Sequence, residues 1–229
     1  MKITYIKHSC FLIETCGKKI VIDPFVPTGY TNSALNNAYG ADYILLTHAH
    51  GDHTGYLEKI YNPETSQVIA VVEFCNYLNN TGIKKTVDLN CGGSVKLDGI
   101  TISMVSAVHS SSYALKGQSF YAGIACGYII SNGETSVYHA GDTGIFGDMA
   151  LINALYAPRI GLLPIGGKYT MDIDAAAYAC NNFFNFKCVI PMHYNTFPKI
   201  RANPEKFSEK VKNTKVLILN DGETVLFKE

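Results

Sequence analysis

The sequence of 229 residues has no CxxC pair, no long apolar run and no excess of either charge. Its 19 basic and 19 acidic residues balance, so no general electrostatic attraction toward nucleic acid or membranes is expected. No apolar stretch approaches the ~20 residues that span a bilayer. The N-terminus opens on an alternating strand pattern and lacks the apolar core of a signal peptide. We therefore expect a soluble cytoplasmic protein, with neither nucleic acid nor a membrane as partner.

The seven cysteines follow no pattern typical of disulfides. Their number is odd, and most lie within apolar runs, where cysteine behaves as a small hydrophobic residue. A disulfide framework is not expected, and a reducing compartment fits better. The sequence also lacks a GxSxG motif, so a covalent serine nucleophile is not indicated.

The order of predicted elements indicates two packed sheets with helices outside. Short strands dominate the first part, and strands alternate with helices in the second half. Residues 25–40 and 108–117 are predicted as loops because polar and turn-forming residues dominate them. Residues 86–89, 94–97 and 100–107 are predicted to form one antiparallel meander.

Four candidate metal ligands lie within six positions, directly after an apolar strand that ends near Leu46. They are His48, His50, Asp52 and His53. The two histidines spaced two apart point the same way in extended backbone, and the adjacent Asp52 and His53 can reach a second position. Imidazole nitrogen and carboxylate oxygen bind zinc, and also manganese or iron. The spacing therefore predicts two neighbouring metal ions.

Residues 48–53 match the HxHxDH motif of the metallo-β-lactamase superfamily, which the chain resembles over nearly its whole length. Residues 6–11, 138–143 and 191–198 resemble motifs of one branch, the small metal-dependent hydrolases related to ascorbate-6-phosphate lactonase. Lys7 replaces a glycine that is usual in that branch. The resemblance implies an α+β fold, a four-layer αββα sandwich of two mixed β-sheets flanked by helices, in a single domain over residues 1–229.

The resemblance also implies a set of seven ligands for two divalent metal ions. The set assigns His48, His50 and His109 to the first metal, Asp52, His53 and His193 to the second, and Asp142 to a bridge between them. The three ligands outside the motif each follow a predicted strand, so they can gather along one edge of a sandwich. Zinc or manganese is favoured, with nickel or iron as alternatives.

Four further residues are candidates for roles beside the metals. Asp52 and His8 are the candidate proton carriers; His8 can instead contact substrate, support a ligand or serve only the structure. His139 is expected to support the ligands by hydrogen bonding. Asp23 either does the same for a metal-binding histidine, through its second ring nitrogen, or only ends a strand in an Asp-Pro turn.

Lys168 and Asn195 are the candidate substrate contacts. Lys168 follows two glycines whose spacing does not match a P-loop, so the glycines are predicted as a turn. Thr170 or Asp172 is predicted to cap the helix that follows.

These features together predict metal-dependent hydrolysis of a small molecule. The expected reaction uses metal-bound hydroxide on a phosphodiester, or on a lactone or ester of a phosphorylated small molecule. The alternatives are a nuclease-type phosphodiesterase and a metal-binding or sensing protein without catalysis. Balanced charge and the lack of an added nucleic-acid domain disfavour the nuclease. Whether the chain forms a homo-oligomer stays open.

Overall fold

The computed structural model describes residues 1–227, so Lys228 and Glu229, the end of the predicted single domain, lie outside the described residues. The strands of the first half are Lys2–Lys7 (β1), Cys10–Thr15 (β2), Lys18–Ile22 (β3), Tyr43–Leu45 (β4), Gln67–Val71 (β5), Thr86–Leu89 (β6), Ser94–Leu97 (β7) and Ile100–Ser106 (β8). Those of the second half are Ser112–Leu115 (β9), Gln118–Tyr121 (β10), Cys126–Ser131 (β11), Ser136–His139 (β12), Ile160–Pro164 (β13), Cys188–Met192 (β14), Lys215–Val216 (β15) and Thr224–Leu226 (β16).

The helices lie between these strands. They are Ser33–Ala38 (α1), Gly51–Thr54 (α2), Leu57–Ile60 (α3), Val72–Thr81 (α4), Met149–Tyr156 (α5), Ile173–Asn182 (α6) and Pro204–Lys210 (α7), with a 3₁₀ turn at Pro198–Ile200. Asp172, one of the two residues predicted to cap this helix, caps α6 by accepting a hydrogen bond from the Ala175 N–H. Within residues 1–227, no helix has both the length and the apolar character needed to cross a membrane.

Both large sheets have seven strands and mix parallel with antiparallel pairs. The first has the order β16-β1-β2-β3-β4-β5-β6, antiparallel from β16 to β3 and parallel from β3 to β6. The second has the order β15-β14-β13-β12-β11-β8-β7, parallel from β15 to β12 and antiparallel beyond. The predicted pair of mixed sheets is confirmed.

The sheets pack face to face, and helices cover their outer faces. Along β11 the side chains alternate, so Tyr128 and Ile130 join the core that also contains the first sheet, while Ile129 joins a second cluster. That second cluster contains the buried faces of α5, α6 and α7. Residues of α1, α3 and α4 pack with the first sheet. The result is the predicted four-layer αββα sandwich.

The predicted loop at residues 25–40 contains a helix, α1, so this prediction was wrong in part. Asn32 caps it by accepting from the Ala34 N–H at 2.8 Å. Ala34, Leu35 and Ala38 form its buried face. The segment has too few apolar residues to show a helical period, and the helix is stabilised by packing on β1 and β3.

The predicted loop at residues 108–117 is also corrected, because β9 and β10 form a separate two-stranded hairpin. Its turn is Lys116-Gly117, both at positive φ (50° and 78°), as a tight hairpin turn requires. Tyr113 of β9 stacks on Tyr77 of α4, with ring centroids 3.8 Å apart. This contact with a distant helix stabilises a hairpin whose own sequence is rich in serine.

The predicted meander of β6, β7 and β8 is divided between the sheets. β7 and β8 pair antiparallel as predicted, whereas β6 pairs parallel with β5 in the other sheet. Helix α4 supplies the crossover that a parallel pair needs. Sequence order alone could not show which sheet would receive β6.

Candidate metal centre

The candidate ligands lie in loops that leave strand ends at one edge of the sandwich. His8 follows β1, His109 follows β8, Asp142 follows β12 and His193 follows β14. The HxHxDH segment follows β4 and folds into α2, whose cap residue His50 is extended while Asp52 and His53 enter the helix. The change from extended to helical backbone turns these side chains in different directions.

The structure brings the candidate ligands into three overlapping groups, each with its ligand atoms within 4.8 Å of one another. The groups are His48–His50–His109, His8–Asp52–His53–His193 and His48–His53–Asp142. The first two groups correspond to the two metal positions that the resemblance implies, with His8 added to the second. Asp142 lies between them, with Oδ2 3.6 Å from His109 Nε2 of the first group and 3.0 Å from His193 Nε2 of the second.

Unusual backbone conformations concentrate at this edge. His8, Asp23 and His193 all have positive φ, at 60°, 48° and 54°. Residues other than glycine pay a conformational cost there, which the surrounding structure must offset. The His193 N–H donates to the His8 carbonyl at 2.9 Å, joining the two sheets directly beneath the cluster.

Asp23 organises two of the candidate ligands. Its Oδ2 accepts from His53 Nδ1 at 2.7 Å and from the Thr47 hydroxyl at 2.7 Å, and its Oδ1 accepts from the Thr47 N–H. Because the Thr47 hydroxyl donates its one proton to Asp23, it accepts from His48 Nδ1 at 3.1 Å. Both histidines therefore hold Nδ1 against a hydrogen-bond acceptor and turn Nε2 into the cluster, where His48 Nε2 lies 3.0 Å from His50 Nδ1.

His139 is fully occupied by backbone hydrogen bonds. Its Nε2 lies 2.9 Å from the Ser9 carbonyl, and its Nδ1 accepts from the Gly141 N–H at 3.1 Å. Nε2 therefore donates, and no ring nitrogen remains for a metal. His139 instead joins the loop after β1 to the loop that presents Asp142.

The protonation states of the histidines of the first group and of Asp142 suit metal binding, whereas the raised pKa of His53 means that a metal must displace a proton from this ring. Burial lowers the pKa of His48, His50 and His109, so these imidazoles are neutral and can coordinate. Burial alone would lower the pKa of His53 and raise that of Asp142, but their mutual attraction outweighs it in both. Asp142 therefore stays ionised although it is buried.

Several buried polar atoms of the cluster have no hydrogen-bond partner within residues 1–227. They are His8 Nε2, His53 Nε2, Asp142 Oδ1 and both ring nitrogens of His193. The contacts of Asp142 with His53 Nε2 and His193 Nε2 are close charge contacts without hydrogen-bond geometry. Unpartnered buried polar atoms are costly and rare in native proteins, so their convergence calls for a ligand. Nitrogen and carboxylate donors of this kind fit divalent metal ions.

Apolar side chains border the cluster. Phe25 and Phe197 each have ring centroids 5.5 Å from that of His8. Val108 and Ile145 are exposed in the loops that carry His109 and Asp142, and these loops are joined by the hydrogen bond from the Gly144 N–H to the Val108 carbonyl. Exposed apolar side chains therefore lie near the cluster.

The two predicted substrate contacts have different surroundings. Lys168 is exposed, in a loop that packs against the Asp142 segment because the Met171 N–H donates to the Thr143 carbonyl. The amide of Asn195 pairs with both the N–H and the C=O of Ala202, at 3.0 and 2.9 Å. This pairing favours a role for Asn195 in closing its own loop.

Two threonines at the site were not among the predicted residues. Thr47 connects Asp23 to His48, and Thr196 Oγ1 lies 3.0 Å from His8 Nδ1. Thr47 directly precedes the histidine motif, which is a usable sequence signal. Thr196 is distant from His8 in sequence, and only the fold brings them together.

The fold and the site define a metal-dependent hydrolase of the metallo-β-lactamase superfamily. Residues 2–193 match the family model described as a beta-lactamase superfamily domain. Its closely similar relatives include a UPF0173 metal-dependent hydrolase of Methanosarcina mazei, 41% identical over 228 residues that cover 98% of each chain. Another from Chelativorans sp. is 43% identical over 233 residues, covering 98% of this chain and 99% of the relative.

A solved structure agrees with this assignment over the full length. It is Igni18, a novel metallo hydrolase from the hyperthermophilic archaeon Ignicoccus hospitalis, with a TM-score of 0.89 and 39% identity. The comparison covers 100% of this chain and 98% of the other. The chain thus belongs to the family of UPF0173 metal-dependent hydrolases.

Proposed function

We propose that this protein is a hydrolase with a binuclear metal centre. The observation that carries the proposal is the convergence of seven buried or half-buried ligand side chains into two adjoining groups joined by Asp142. The group of His48, His50 and His109 would hold one metal, and Asp52, His53 and His193 would hold the other. The acidic bridge suits a pair of positive ions that would otherwise repel each other.

Two divalent ions in these groups would supply an activated water and would polarise the bond to be broken. The chain itself contributes orientation, because Asp23 holds His53 directly and His48 through Thr47. The phenylalanines beside His8 limit the access of water to that side of the cluster.

Asp52 is our candidate for proton transfer. It is the most exposed carboxylate of the cluster, at 33%, so it borders both the metals and the space for substrate. Burial alone would raise the pKa of Asp52, but the neighbouring His8 and His53 lower it. The carboxylate is therefore ionised at neutral pH, and as a weak base it would hold a proton only transiently before it returns it to the leaving group.

The proposed substrate is a small phosphodiester, or a lactone or ester of a phosphorylated molecule. Lys168 supports the phosphorylated class, because its exposed ammonium lies in the loop packed against the Asp142 segment. The apolar borders formed by Val108 and Ile145 support an organic portion beside the reacting bond. These two features together favour an amphiphilic small molecule over a polynucleotide.

The test combines metal content with a substrate panel. Protein purified without added metal is analysed for zinc, manganese, nickel and iron, then assayed on aryl phosphodiesters, simple lactones and phosphorylated lactones. We expect about two metal ions per chain, with hydrolysis that is lost with a chelator and restored by metal. His48→Ala should lose both metal and hydrolysis, whereas Lys168→Ala should keep the metal and weaken binding of the phosphorylated substrates alone.

Other outcomes would contradict the proposal in distinct ways. Full metal content in a His48→Ala, Asp142→Ala double variant would refute the ligand assignment. Two bound metals without hydrolysis of any substrate class would favour a metal-binding or sensing protein. Equal loss of all substrates in Lys168→Ala would remove this lysine from phosphate recognition.

A further inference from the structure

His8 is arranged like the candidate ligands and unlike the structural histidine of the same edge. Its side chain is fully buried, its Nδ1 lies against the Thr196 hydroxyl, and its Nε2 points into the cluster without a hydrogen-bond partner among residues 1–227. His53 is arranged in the same way, because its Nδ1 is hydrogen-bonded to Asp23 and its Nε2 has no hydrogen-bond partner among residues 1–227. His139 shows the opposite, because the backbone occupies both of its nitrogens.

Thr196 Oγ1 is the partner of His8 Nδ1, 3.0 Å away, and its own proton can point toward the Tyr194 carbonyl, at 3.5 Å. With the proton of the neutral ring on Nδ1, Nε2 carries the lone pair. Nε2 lies 3.5 Å from Asp52 Oδ2, and the His8 and His193 rings lie with centroids 4.0 Å apart.

Building this position is costly for the chain. His8 has a φ of 60°, a conformation disfavoured for residues with a side chain beyond Cβ. The chain also buries a ring nitrogen with no partner beside two other histidines. A bound cation at Nε2 would give this nitrogen a partner and help to offset both costs.

Resting on the proposed binuclear centre, we propose that His8 is a fourth protein ligand in the metal group of Asp52, His53 and His193. The two positions are then unequal. The three histidines of the group of four are buried, and its Asp52 is partly exposed. In the group of His48, His50 and His109, two of the three histidines are partly exposed, so a coordination position there would be more accessible to substrate.

As a metal ligand, His8 would not serve as the proton carrier that the sequence predicted as one of its roles. A nitrogen that coordinates a cation has no lone pair with which to accept a proton. With His8 as a ligand, the two metals should bind with different affinities, and the metal in the group of four should bind more tightly.

The test is a titration of metal-free protein with zinc against a competing chelator, and with cobalt(II) followed by its visible absorption. Wild-type protein should bind two ions with separable affinities. His8→Asn should weaken one site by more than about 100-fold, beyond the effect of losing a residue that only orients a ligand, and change its cobalt spectrum. The matched variant His50→Asn removes one imidazole from the other group and should affect the other site.

Thr196→Val provides a second test that leaves His8 in place. Loss of the partner of Nδ1 should weaken the same site by about tenfold. Unchanged metal affinities and an unchanged cobalt spectrum in His8→Asn would overturn the inference. It would also be overturned if His8→Asn bound two metals normally but lost one limb of its pH–rate profile, because that result indicates a proton carrier. If circular dichroism shows that His8→Asn is unfolded, unchanged binding by Thr196→Val overturns it instead. Failure of the wild-type chain to bind any metal would refute the proposed function itself.

Discussion

Asp23 Oδ2 lies 2.7 Å from His53 Nδ1, and the same oxygen accepts the hydroxyl of Thr47, which in turn contacts His48. One buried carboxylate therefore sets the ring orientation of a candidate ligand in each of the two proposed metal groups. Asp23 has a φ of 48° and no exposed surface, so its position is tightly constrained.

Asp23→Asn should lower zinc affinity at both metal positions by about 10–100-fold, the range typical of residues that orient metal ligands. The amide keeps the shape but lacks the charge and the second acceptor oxygen. Chelator competition measures the affinities. Thr47→Val is the matched control, because it removes the contact to His48 and keeps the one to His53. A loss at only one position in Asp23→Asn would contradict the shared role.

Removal of metal should lower thermal stability. A metal that binds the folded chain alone stabilises it by about 2.7 kcal/mol at a free concentration of ~100 times Kd. For a chain of this size each kcal/mol corresponds to about 2–4 °C, so chelation should lower Tm by about 5–11 °C. Calorimetry with a chelator, then with zinc restored, measures this. An unchanged Tm in a protein that demonstrably lost its metal would contradict the cost assigned to the unpartnered cluster atoms.

Gly141→Ala should destabilise the loop that presents Asp142. Gly141 has a φ of 62°, and a Cβ there would lie 2.6 Å from the Cys126 carbonyl oxygen and 2.9 Å from Thr47 Cβ. Overpacking of this kind costs about 1–3 kcal/mol. The free energy of unfolding measured with denaturant and the number of zinc ions bound per chain should both be lower than in the wild-type protein. Gly147→Ala is the control, because a Cβ at Gly147 has nothing within 4 Å. Equal stability of the two variants would count against this tight contact.

Thiol reactivity should distinguish Cys16 from the buried cysteines. Cys16 is exposed, and Cys91 is partly buried. Burial raises the pKa of Cys10 and Cys180 to about 12, so at pH 8 both remain protonated and unreactive. Iodoacetamide labelling of folded protein, read by mass spectrometry, should modify Cys16 rapidly and Cys91 more slowly. Cys16→Ser should lose the rapid phase, and rapid labelling of Cys10 would contradict the packing around β2.

The predicted architecture rested on patterns that are local in sequence. Short strands with alternating or continuous apolar residues predicted the two sheets. The confirmed cap at Asp172 depends only on residues close to it in sequence. The segments that were predicted incorrectly depend on distant contacts. The hairpin of β9 and β10 relies on the stack of Tyr113 against Tyr77, and β6 belongs to the first sheet because α4 returns the chain beside β5.

The sequence by itself determined the sandwich class, the ligand-rich segment at residues 48–53 and the chemistry of the donors. It did so because a strand followed by closely spaced histidines is a local feature. The tertiary structure decided which atoms of those residues are free. Asp23 with His53, and Thr196 with His8, are joined only when the ends of separate strands meet at one edge. The orientation of each of these rings, and with it the proposed place of His8 among the metal ligands, depends on those long-range hydrogen bonds.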